Sequence, residues 1–179
     1  MDDLSELAAH LWSLAEPPPT PETRAEVVAA LKHKREGIQS IAAQVLGAWG
    51  TRDSVPPLRD WLLECQERDS GWAVRGVAVR QLAQLVEAVD ADWILDLYFS
   101  VPGWIAKHEL LPLVRALNPE IARAHLVRAL RDEDWTNRHA AVKAIGNMAF
   151  PDRRRLLVPL IDDPDRNVQK SARALSQRE

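Results

Sequence analysis

The side chains that could do chemistry in this sequence are five histidines, His10, His33, His108, His125 and His139, a single cysteine, Cys65, and three aspartates that each precede a tryptophan. His108 and Glu109 are adjacent in KHELL, a nitrogen and oxygen donor pair of the kind a transition metal takes when several such pairs converge. The dyad has no counterpart, because His139 is followed by Ala140 rather than an acid. One cysteine gives neither an internal disulfide nor a thiolate cage, so no metal and no cofactor are expected. Asp60–Trp61, Asp92–Trp93 and Asp134–Trp135 set a carboxylate beside an aromatic face. No G-x-S-x-G element and no phosphate-cradling glycine loop occurs, so ordinary hydrolase and nucleotide-binding readings have no support.

These residues must be positioned by a chain of 179 residues, 46% apolar and 27% charged, with a net charge of −3. That composition is globular, and no apolar run approaches the roughly 18–20 residues of a membrane span. The start, MDDLSELAAHLWSLAE, is acidic and lacks a signal peptide's basic and apolar segments, which predicts a cytoplasmic protein. Seven tryptophans against one tyrosine and two phenylalanines make indole the main aromatic surface.

The sequence repeats. Ile38, Val74, Ala106, Asn137 and Val168 are equivalent anchors at spacings of 36, 32, 31 and 31. Positions i, i+3, i+4, i+7, i+8 and i+11 from each anchor are apolar in 24 of 30 cases, against about 14 expected from composition, so each anchor marks an amphipathic helix. A partner helix precedes each one: PETRAEVVAALKHK, SVPPLRDWLLECQ, ADWILDLYFS, NPEIARAHLVRALRD and PDRRRLLVPLIDD. Pro21, Pro119 and Pro151 are expected at first helical positions, where a missing N–H costs nothing, while Gly50, Gly71 and Gly103 fall in turns. The expected fold is all-α: an α-solenoid of about five helix pairs wound as a right-handed superhelix, with an extra amino-terminal helix. Its parts are a capping helix at 1–16, a proline-rich linker at 17–21 and a repeat domain at 22–179, with repeats near 22–50, 54–88, 91–117, 119–149 and 151–179.

DEDWTNRHAAVKAIG and DDPDRNVQKSARAL resemble the second halves of HEAT repeats, in the short bacterial form related to lyase-type HEAT-like repeats. The resemblance implies a solenoid whose second helices line a concave face, in a superfamily that mostly binds proteins. It includes a di-iron enzyme, deoxyhypusine hydroxylase, built on repeated His-Glu dyads; with one dyad, this sequence departs from that pattern. It also includes alkylpurine DNA glycosylases, which combine such a groove with tryptophans and a catalytic aspartate. That nucleic-acid-binding reading is the alternative here, and the acidic net charge speaks against it.

The remaining signals concern surfaces. Six residues separate Asp69 from Arg75 and Asp132 from Arg138, the same spacing that links Asp163 to Gln169 and Val101 to Lys107; this resembles the structural aspartate and arginine ladder of HEAT stacks. Trp72, Trp104 and Trp135 keep the period and are expected mainly to pack turns, and Trp12 and Trp49 are expected in the core. Glu109 interrupts an apolar stripe and Pro112 lies inside a helix, where it removes a backbone bond to residue 108. Residues 1–119 carry 11 basic and 17 acidic side chains, whereas 120–179 carry 12 and 9. Positions i+2 and i+6 should face the groove, which aligns His108, His139 and Lys170 in one row and Arg80 and Lys143 in the other. The expected function is therefore a non-catalytic, monomeric adaptor that binds a protein with an acidic surface. Its groove residues are Arg80, His108, Glu109, His139, Lys143 and Lys170, with Trp104 as the aromatic anchor; nucleic acid and membrane are not expected partners.

Overall fold

The structure, a computed structural model, describes residues 3–16, 19–67 and 72–177, without the side chains of Asp3 and Trp72. Among the described residues there is no strand. Eleven α-helices follow one another: α1 (Asp3–Ser13), α2 (Pro21–Ala30), α3 (Glu36–Ala48), α4 (Val55–Glu67), α5 (Trp72–Leu82), α6 (Ala91–Ser100), α7 (Gly103–Ala116), α8 (Pro119–Ala129), α9 (Trp135–Asn147), α10 (Arg153–Leu157) and α11 (Arg166–Ser176). They pair as helical hairpins of the α-solenoid class and fall into two compact units, Met1–Val86 and Glu87–Glu179.

In the first unit α3 packs against α1, α2 and α5, and α4 packs against α5. Thr20 caps α2 by accepting from the Thr23 amide, with Pro21 at the first helical position. Buried Ile38, Ala42, Val45, Leu46 and Trp49 are the stripe expected for α3. The Trp49 indole donates to the Leu14 carbonyl at 2.9 Å, and Leu11 is fully buried, so α1 docks on α3. Trp12, expected in the core, is instead 46% exposed. The inward stripe of α1 runs through Leu4, Leu7, Leu11 and Leu14, and Trp12 stands about 100° of helical turn past Leu11, outside it. Trp61 is buried, its indole donating to Gln39 at 3.3 Å. Gly50 has φ of +65°, a left-handed conformation that lets the chain leave α3 at once.

In the second unit the second helices α7, α9 and α11 stack in order, with α6, α8 and α10 packed against them. Asn118, Asp134 and Asp165 cap α8, α9 and α11 by accepting backbone N–H groups of the first turn. Tyr98 is buried and its hydroxyl donates to the Ala140 carbonyl at 2.9 Å, tying α6 to α9. The helix expected over 151–163 is shorter. Pro151 lies in a turn, α10 starts at Arg153 and ends at Leu157, and a 3₁₀ turn covers Val158–Leu160. Pro159 explains the change: it has no N–H to offer and its ring would crowd the carbonyl of Arg155 in an α-helix. Pro112 breaks nothing comparable; α7 stays helical through it, with the ring exposed.

Candidate functional site: a basic, indole-edged cavity

A cavity of about 300 Å³ opens in the second unit, lined by α7, α9 and α11 with Tyr98 of α6. Its apolar floor includes Leu111, Ala140 and Leu175. Trp104 stands at its edge, 48% exposed, so this turn tryptophan does not pack away; Trp135 is half-buried, and the Trp72 side chain lies outside the described residues. Lys143 and Lys170 supply cations from neighbouring helices, and no carboxylate lines the cavity among the described residues. Five of the residues aligned by the repeat therefore share one wall: Trp104, His108, His139, Lys143 and Lys170. Glu109 is half-buried and outside the lining, and Arg80 is an exposed residue of the first unit.

His139 is the most confined of these side chains. Its Nε2 lies 2.9 Å from the Ser171 hydroxyl, and its ring meets Trp104 edge-on at 6.4 Å and Trp135 at 6.3 Å between centroids. Burial pushes its pKa below the usual histidine value, nearby Lys143 and His108 add to this, and Asp165 opposes it. The folded state thus binds the His139 proton less readily than the unfolded chain does. The stability this contributes is complete above pH 6.5 and is lost as pH falls below it toward the lowered folded value. Thermal midpoints measured between about pH 7 and 5 should fall for the natural protein and fall less for His139→Gln.

Of the ladder residues, Asp132 and Arg138 lie in the second unit. Arg138 reaches from α9 to Asp163 with Nε–Oδ2 of 2.8 Å and Nη2–Oδ1 of 2.9 Å, and its Nη1 donates to the carbonyls of Asp132 and Glu133. The acid is thus the aspartate of the following repeat, while the Asp132 carboxylate accepts the Asp134 amide. Lys107 is 2% exposed, with Nζ donating to the carbonyls of Tyr98, Phe99 and Val101 at 3.3, 2.8 and 2.7 Å. Arg75 is half-buried on α5; Asp69 and Gly71 lie outside the described residues.

The three aspartate and tryptophan pairs have separate local duties. Asp134 accepts the Thr136 amide at 2.8 Å and the Thr136 hydroxyl at 2.7 Å, and these two bonds hold its carboxyl below the usual range. Asp60 pairs with Arg59, and the indole of Trp93 donates to Asp90 rather than to Asp92. Among the described residues no group of three or more His, Cys, Asp or Glu side chains could hold a metal ion, and no helix is long and apolar enough to cross a membrane. Spacing alone misses Tyr98, Thr136, Asn167 and Ser171 in the lining. Ser171 could have been found, since it takes an apolar template position beside Lys170.

The repeat assignment now has a counterpart among known proteins. Residues 122–178 match the family model of HEAT repeats. They span α9, α11 and most of the cavity wall. The complex of CpcE and CpcF of phycocyanin lyase from Nostoc sp. PCC7120 is similar in structure, with a TM-score of 0.58 at 17% identity over 89% of this chain and 100% of that one, which shows a common repeat fold. A designed armadillo repeat protein aligns over 98% of this chain and 93% of its own at 18% identity, with a TM-score of 0.43. No curated protein matches the chain.

Proposed function

We propose that the protein is a non-catalytic adaptor that binds an acidic partner protein at the cavity of its second unit. The observation that carries this reading is the charge of that cavity: the ammonium groups of Lys143 and Lys170 line it beside the imidazoles of His108 and His139, and no carboxylate lines it among the described residues. A ligand carboxylate would meet two lysine cations and no carboxylate on the wall itself, although the chain as a whole is acidic. The same reading has the protein working as a cytoplasmic monomer. Sedimentation velocity should then give one species with the 20.1 kDa mass of a single chain.

The alternative, nucleic-acid binding of the alkylpurine glycosylase type, loses support at its carboxylates. Asp134 is occupied as the cap of α9, and three of the basic side chains a phosphate backbone would need, Arg123, Arg138 and Arg173, pair with Asp152, Asp163 and Asp162. Fluorescence anisotropy with labelled acidic, neutral and basic peptides and with duplex DNA at low salt tests both. Acidic peptides should bind, and Lys143→Glu with Lys170→Glu should weaken them at least about tenfold. Lysine-dependent binding of DNA with no binding of acidic peptides would replace this reading by the alternative.

A further inference from the structure

The cavity is more specific than a basic surface. Its floor is apolar, from Leu111, Ala140, Ala174 and Leu175, and it is enclosed on one side by the indole of Trp104. At about 300 Å³ it stands at the lower limit of ligand-binding cavities, enough for one large side chain and too small for a helix face with several anchors. Its cations differ in availability. Lys107 spends its ammonium group on three carbonyls, whereas Lys143 is half-buried and Lys170 exposed. The nearest acid at the end of α11, Asp165, has its carboxylate engaged by the amides of Asn167 and Val168.

Resting on the adaptor reading above, we infer that the site binds an extended acidic segment of a partner protein by taking one aromatic side chain into the cavity, against Trp104 and Leu111, while Lys143 and Lys170 hold carboxylates flanking that residue. The two parts need each other. An apolar side chain alone gains burial but no orientation, and two partly solvated lysines alone give a contact that salt screens. Carboxylates beside the anchor use cations that stand on separate helices, α9 and α11, so they set the direction of the segment across the repeats. The sparse cations suit a short acidic stretch better than a phosphate backbone, since Lys143 and Lys170 are the two lysines of the wall whose ammonium groups are not given to backbone carbonyls.

Three labelled peptides of about 12 residues test this on the full chain: an Asp/Glu/Ser sequence with one central phenylalanine, the same sequence with alanine there, and a Lys/Ser sequence with the phenylalanine. The first should bind, the second about tenfold more weakly, and the third not at all. Binding of the first should change the tryptophan emission of the natural protein but much less that of Trp104→Phe. Lys143→Gln and Lys170→Gln should each weaken it and flatten its salt dependence, with far-ultraviolet circular dichroism confirming the fold. Equal affinity for the phenylalanine and alanine peptides overturns the anchored mode while leaving acidic-partner binding in place. Failure of both acidic peptides overturns the adaptor reading itself. Binding of free 3-phenylpropionate as tightly as the first peptide would make this a small-molecule site and overturn the inference.

Discussion

Arg138→Ala is expected to destabilise the second unit by about 3 kcal/mol, the cost of removing the charged donor from a half-buried ion pair. The Arg138 and Asp163 side chains are 13% and 6% exposed, so solvent replaces only part of what is lost. The guanidinium also satisfies the carbonyls of Asp132 and Glu133, and these lose a charged donor in the same step. Burial works against the Asp163 carboxylate, yet the hydrogen bonds from Arg138 and from the Asp165 amide outweigh it and hold its pKa below the usual range. A depressed carboxylate stabilises the fold above the unfolded value of 3.8 and ceases to do so as pH falls through the folded one. Without Arg138 only the Asp165 amide opposes burial, so the variant should begin to lose stability at a higher pH than the natural protein. Urea titrations of the full chain, with hydrogen exchange read at α9 and α11, measure both effects. Arg138→Lys should recover only part of the loss, because an ammonium group cannot make the two parallel bonds of a guanidinium. A loss below about 1 kcal/mol for Arg138→Ala would mean the pair behaves as an exposed one.

The repeat was legible in the sequence because it is written twice, in the apolar stripe and in the turn chemistry. Ile38 to Trp49 reads as a buried helical face and is one, and Thr20–Pro21 and Asn118–Pro119 read as helix starts and are. Pro151 carries the same local signal without the same result, because Pro159, eight residues on, limits the α-helix that Pro151 would have opened. Trp12 fails for a different reason: in a helix of 11 residues two stripes one position apart both look amphipathic, and only the packing of Leu11 on α3 selects between them. The cavity was half legible. Periodicity aligned His108 with His139 and Lys170, since equal offsets on stacked helices face the same way, but it could not show that Glu109 turns aside or that Tyr98 reaches the cavity from a first helix. Which residues of a helix reach the lining depends on how the helices pack, and that has no period.

The third repeat departs from the ladder in a way that makes its lysine the next most costly residue to lose. Where the second, fourth and fifth repeats have Asp69, Asp132 and Asp163 in the turn, this one has Val101, and the cation six residues on is Lys107 rather than the arginine of the second and fourth. The ammonium group folds back onto the carbonyl end of α6, where three acceptors and the negative end of the helix dipole favour a cation. Burial draws its pKa below the ordinary lysine value, and Asp134 and Asp132 partly restore it. Lys107→Met keeps the length and apolar stem but leaves those carbonyls without their donor, at a cost of about 3 kcal/mol. Lys107→Arg, which restores donors of the kind found at Arg138, should lose less than half as much. Alkali separates this from simple repacking. A lysine with a lowered folded pKa gives up its proton first in the native state, so stability rises with pH from that lowered value up to 10.5. The natural protein should show that rise in urea midpoints, and Lys107→Met should lack it. A Met variant as stable as the natural protein, with the same alkaline profile, would show that water serves the α6 carbonyls as well as Lys107 does.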